Sequence, residues 1–125
     1  MTTATQGNYK AKFQRPERSV EELNKICGAS FKAVKVPDNW KFKEYERVPL
    51  SEEPGSEIQS IVAVFEDKST SGFNLKHYRL IFHTYSESLS LCIVSFKDYG
   101  KPAYHTVICN KSAEAINEFI ETLKN

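Results

Sequence analysis

The side chains able to do chemistry in this chain are three histidines, three cysteines and a few adjacent carboxylates. His77 and His83 fall on one face of a strand pattern, with Arg79 and Ile81 between them, and His105 lies in a later strand. A catalytic histidine needs a nucleophile or carboxylate within hydrogen-bond reach, and the spacing nominates none. A nucleophilic cysteine needs a lowered pKa from a helix N-terminus or a cation. Cys27 sits at the C-terminal end of a helical pattern, and Cys92 lies mid-strand between Leu91 and Ile93. Cys109, shortly before the last helical pattern, has the one plausible activating setting.

The cysteines are odd in number, widely spaced and embedded in apolar patterns. They read as buried free thiols of a reducing compartment and not as a disulfide framework. Neither they nor the histidines keep metal-ligand spacing, so no metal and no cofactor is expected. Glu66 and Asp67 are adjacent carboxylates leading into a Ser/Thr turn, and Glu52, Glu53 and Glu57 belong to an acidic loop. Both groups read as solvated. All five glycines are isolated, each at a tail, cap or turn, so no phosphate loop exists. With no HExxH, GxSxG or EF-hand spacing either, the expectation is a protein that is not an enzyme.

The elements that must position these residues follow from hydrophobic period. Ser19 and Glu22 form a capping box, and Val20, Leu23, Ile26 and Cys27 make a helical stripe. With Gly28 as the terminal left-handed residue, the spacing predicts a short helix over 19–28. Residues 31–36 predict a strand, although their alternation is imperfect. In the strand from Trp40, the alternation places Trp40, Phe42 and Glu44 on one face and Lys41, Lys43 and Tyr45 on the other. Four more strands are predicted over 57–66, 74–85, 89–96 and 103–109, separated by turn signals. A last helix starts near Ser112, with Ile116, Phe119, Ile120 and Leu123 at i, i+3, i+4 and i+7.

Short links between strands force antiparallel pairing. The fold class is therefore α+β, an antiparallel five- to six-stranded sheet with an N-terminal and a C-terminal helix packed on one face. A chain of 125 residues supports a single domain, placed at 16–125 behind a mobile tail over 1–15. Tyr9 and Phe13, set between Lys10, Lys12 and Arg15, would let the tail's second half dock on the domain or on a partner. The start, MTTATQGNYK, has no apolar leader region, and no run is long enough to span a membrane, so a cytoplasmic or nuclear protein is expected.

Function is read from the surface left over. Two short helices cover one sheet face, yet strands 57–66 and 89–96 are apolar on both faces, which marks them as central and doubly covered. The second face is expected to carry Ile61, Phe65, Ile81, Tyr85, Val94 and Phe96, with Arg79 and His83 beside them. An uncovered patch of this kind marks a protein interface. The leading expectation is a non-enzymatic protein-binding adaptor or small complex subunit, its partner another protein or a second copy of this chain.

The alternative is a nucleic-acid or acidic-phospholipid binder. Residues 1–50 carry ten Lys/Arg against six Asp/Glu, whereas 51–125 carry seven against ten. Lys32, Lys35, Trp40, Lys41, Lys43 and Arg47 would form its basic–aromatic patch. A further alternative is a hydrophobic-ligand carrier, with a cavity enclosed between a curved sheet and the helices.

Overall fold

The computed structural model describes residues 19–98 and 100–124. The tail expected over 1–15, with the docking role of Tyr9 and Phe13, lies outside the described residues. Helix α1 spans Val20–Ala33, and five strands follow: β1 (Trp40–Pro49), β2 (Ile58–Asp67), β3 (Lys76–His83), β4 (Leu89–Asp98) and β5 (Lys101–Lys111). Helix α2 (Ala113–Leu123) closes the order, and a 3-10 turn, Gly72–Asn74, precedes β3. The strands form one antiparallel sheet in the order β1-β2-β3-β4-β5, a meander whose short connections permit nothing else. The α+β sheet flanked by terminal helices is as expected, with five strands.

Helix α1 begins where the capping signal put it: Ser19 Oγ accepts from the Glu22 backbone N–H at 3.1 Å. It does not stop at Gly28. It continues to Ala33, and the strand expected at 31–36 does not form. The reason is tertiary. Leu23, Cys27 and Phe31 recur every four residues, and Val34 completes the stripe. Cys27 and Val34 are buried, and Phe31 meets Phe82 edge-on at 6.4 Å. Burying that extra turn outweighs the roughly 1 kcal/mol that a mid-helix glycine costs. Val20, expected in the stripe, is instead exposed. The helix end is closed from α2, where Asn117 Nδ2 donates to the Ala33 carbonyl at 3.0 Å and its Oδ1 accepts from the Lys35 N–H at 2.7 Å.

Both helices lie on one sheet face. Their stripes, with Ile116 and Ile120 of α2 at 0% and 1% exposure, pack onto Ile61, Ala63 and Phe65 of β2, Tyr78, Leu80 and Phe82 of β3, and Leu89 and Leu91 of β4. Ile61 and Phe65, expected on the second face, therefore lie in the core beneath the helices. The relative facing of separate strands depends on register, and register is set by pairing: Ile61 sits opposite Phe82 and Phe65 opposite Tyr78.

Two irregularities shape the sheet's flanks. In β1 a register shift between Phe42 and Glu44 inserts Lys43 as an extra residue. Phe42 and Tyr45 thus both pair with helix-side residues, Phe65 and Ala63, while Glu44 moves to the other face. This reverses the facing that simple alternation gives Glu44 and Tyr45. In β5 Val107 is the extra residue between the pairs Cys92–Thr106 and Leu91–Ile108.

Candidate functional site

Among the described residues no helix lies on the face opposite α1 and α2, yet the middle of that face is not an open apolar patch. Val62, Val64, Cys92 and Val94 line it, and all are at most 7% exposed. Register explains their cover. Val62 lies beside Glu46, Val64 between Glu44 and Arg79, Cys92 between Arg79 and Thr106, and Val94 between His77 and Tyr104. Each small apolar side chain has a long polar or aromatic neighbour whose stem can lie across it.

Those covering side chains hold one another. Arg79 Nη2 sits 2.8 Å from Glu46 Oε1, and its guanidinium lies 5.7 Å from the centre of the Tyr104 ring. Glu66 Oε1 lies 3.6 Å from Lys43 Nζ and 3.8 Å from His77 Nε2. The His77 ring meets Phe96 edge-on at 4.9 Å. Between the two groups lies a shallow groove of about 210 Å³, floored by Val64 and Val94 and walled by His77, Arg79, Phe96 and Tyr104. Central strand β3 supplies Arg79 and His77, β4 supplies Phe96, and edge strand β5 supplies Tyr104, which is 59% exposed.

Of the residues expected at an interface, Arg79, Val94 and Phe96 meet in this groove. Ile81 and His83 share the face, further along β3, by the alternation that sets Arg79 there. Tyr85 lies past the end of β3, in the turn to β4, with its hydroxyl 2.8 Å from Glu57 Oε2. Ile61 and Phe65 are on the opposite side of the sheet. Sequence reasoning missed Glu46, His77 and Tyr104 as parts of the site. Alternation already sets His77 on the face of Arg79 without marking it as part of the site, but Glu46 and Tyr104 join only through the pairing of strands distant in sequence.

The basic residues do not form one track. Trp40 is buried, stacked on Tyr78 at 3.8 Å with an 8° interplanar angle, so it offers no free face to a base. Lys43 is paired with Glu66, and Lys41 is the register neighbour of the same carboxylate. Arg47 is on the helix side, opposite Ile61. Lys32 lies in the last turn of α1 and Lys35 just beyond it. The space between sheet and helices is filled by Phe82, Leu91, Ile116 and Ile120, all at most 1% exposed.

The titratable groups outside the groove are taken up structurally. His83 Nε2 lies 2.7 Å from Ser90 Oγ, which also accepts from the Asn110 backbone N–H at 3.0 Å. Ser90 is 2% exposed, so its hydroxyl is closed to a substrate. Its role is to serve the left-handed backbone at Asn110 (φ 51°) near the end of β5. Burial holds the His83 imidazole below its ordinary pKa.

Asp67 is 5% exposed and accepts from Asn39 Nδ2 (2.8 Å), Ser69 N (3.0 Å), Ser69 Oγ (2.6 Å) and Tyr78 Oη (2.8 Å). Burial alone would raise its pKa, but these hydrogen bonds outweigh burial and hold it below the ordinary value. Burial raises the Tyr78 hydroxyl, and the Asp67 carboxylate beside it adds to the rise. Glu66 and Asp67, adjacent in sequence, thus serve opposite faces.

The three cysteines are free thiols. Burial pushes Cys27 up to about 11, against a smaller lowering by the Arg47 charge. Burial likewise raises Cys92. Cys109, expected in the core, is exposed because β5 is an edge strand. Among the described residues no His/Cys/Asp/Glu group has the arrangement to hold a metal, and no helix is long and apolar enough to cross a membrane. Compared with known proteins, the chain matches no family model, no curated protein and no solved structure.

Proposed function

We propose that this chain is a non-enzymatic protein-interaction module that engages a partner protein across the helix-free sheet face. The observation that carries the reading is the composition at the middle of that face. Arg79, Tyr104, Phe96 and His77 converge over a buried Val64–Val94 floor. Aromatic residues and arginine are enriched where interfaces concentrate their binding energy. The groove, at about 210 Å³, is below the roughly 300–1,000 Å³ typical of small-molecule sites. Its size suits one or two side chains of a protein partner better than a free ligand. Two buried free thiols support a reducing setting, the cytoplasm or nucleus.

The test is affinity capture followed by reconstitution with the purified partner, comparing wild type with Arg79→Ala and Tyr104→Ala. Loss of a hot-spot residue costs 2 kcal/mol or more, so each variant is expected to weaken binding by about 30-fold. Undiminished affinity in both variants, measured by calorimetry with the purified partner, would overturn the proposal.

A further inference from the structure

The two edges of the sheet differ in how they are defended. Edge strand β1 carries Lys41, Lys43, Glu44, Glu46 and Arg47, contains a bulge and ends at Pro49. Charges are among the devices that stop an edge from pairing with another chain. Each edge strand also has a bulge and a proline, Lys43 and Pro49 in β1 and Val107 and Pro102 in β5, so charge is what separates them. Edge strand β5 is 11 residues long and carries no Lys, Arg, Asp or Glu between Pro102 and Asn110. Its stretch Tyr104-His105-Thr106-Val107-Ile108-Cys109 is β-branched and aromatic. Within it Tyr104 is 59% and Val107 36% exposed. Among the described residues no strand pairs with its outer edge.

We propose that β5 is a self-association edge, through which two copies of this chain pair into one continuous antiparallel sheet. The occupant follows from the same comparison. Pairing β5 of one copy with β1 of the next would meet a charged edge and would repeat without closing. Pairing β5 with β5 closes about a two-fold axis. In an antiparallel pair directly opposed side chains share a face, so the axis stands perpendicular to the sheet and both helix layers lie on one side.

Register is limited in two ways. Regular pairing of β5 with β4 runs over Ala103–Thr106, before the extra residue Val107. An axis at Thr106 would set Lys101 against the partner copy's Lys111, and like charges directly opposed are unfavourable. An axis at His105 avoids this and puts Tyr104 opposite Thr106 on the helix-free face. The groove, walled by Tyr104 and by Pro102 of the same strand, then occurs twice, flanking the axis. The dimer would present two copies of the proposed interface side by side.

The experiment is sedimentation velocity from low to high micromolar protein, with hydrogen exchange at the β5 amides. Wild type is expected to dimerise with concentration, and those amides of Ala103–Val107 that point away from β4 to gain protection in the dimer. His105→Lys places two lysines against each other at the axis. It is expected to weaken the dimer by about tenfold and to abolish that protection, with an unchanged circular dichroism spectrum. Arg79→Ala is expected to leave the dimer intact, which separates this inference from the face-binding proposal. Wild type that stays monomeric throughout, or a dimer that His105→Lys leaves unchanged, would overturn it.

Discussion

At the scale of single residues, a carboxylate buried on the other face of the sheet from the groove carries four hydrogen bonds. Asp67 ties the approach to β1 (Asn39), the turn after β2 (Ser69) and strand β3 (Tyr78) into one knot. Hydrogen bonds to a charged group contribute about 1.5–3 kcal/mol each, and donors left unpaired cost more than the mean suggests. Asp67→Ala is therefore expected to lower stability by about 3 kcal/mol in urea unfolding at neutral pH. The pH dependence has a definite sign. The folded pKa lies below the unfolded value near 3.8, so the unfolded chain takes up the proton first. The stabilisation from Asp67 is whole above that value and drains away as pH falls through the folded pKa. The gap between wild type and Asp67→Ala should narrow as unfolding is measured at successively lower pH below about 5.

At the scale of elements, α1 shows a local signal overruled by packing. Gly28 looks like a helix end, because glycine is the usual residue just past the last turn. The helix passes through it because Phe31 and Val34 extend the apolar stripe by another turn onto Phe82 and its neighbours. The position has ordinary helical backbone, and a Cβ added there meets nothing within 4 Å. Gly28→Ala should thus stabilise the protein by about 0.5–1 kcal/mol, read as a higher urea midpoint with unchanged slope. A loss of stability on that substitution would contradict the helical assignment. The stripe from Leu23 to Val34 is legible in the sequence at four- and three-residue spacing. The glycine, a local end signal, hides its continuation, because only tertiary packing of the apolar residues beyond Gly28 carries the helix onward. The extra residue at Lys43 left no such trace, because a bulge is a property of two paired strands and its partner, Phe65, is more than twenty residues away.

At the scale of the whole molecule, one hydrophobic cluster gathers residues of both helices and all five strands, from Trp40 of β1 to Ile108 of β5. Every described helix and strand contributes to that cluster. Unfolding should accordingly be a single cooperative transition. Fluorescence of Trp40, the one tryptophan, and far-ultraviolet circular dichroism should report the same midpoint. Separate midpoints would show that the β1 end opens independently. The opposite face is stabilised differently, by ion pairs and rings lying over valines. Surface ion pairs contribute only about 0–1 kcal/mol each, so the covering side chains can be replaced without unfolding the sheet. Arg79→Ala and Tyr104→Ala are for that reason fair probes of binding.

The sequence by itself determined the types and order of the elements from β1 onward and the start of α1, though not its end, because periodicity, caps and turn residues act over a few neighbours. It showed β2 and β4 as apolar on both faces, and the structure places both strands inside the sheet with both sides covered. It also marked the mixed face of β3, with His77, Arg79 and His83 on one side. What it left open was which face of one strand continues into which face of the next. A one-residue change of register moves a whole strand's side chains across the sheet. That choice sent Ile61 and Phe65 under the helices and brought Glu46 and Tyr104 to Arg79 from strands far away in sequence. The second cover of the sheet proved to be the chain's own polar and aromatic side chains, whose long stems reach across neighbouring strands only once those strands are paired.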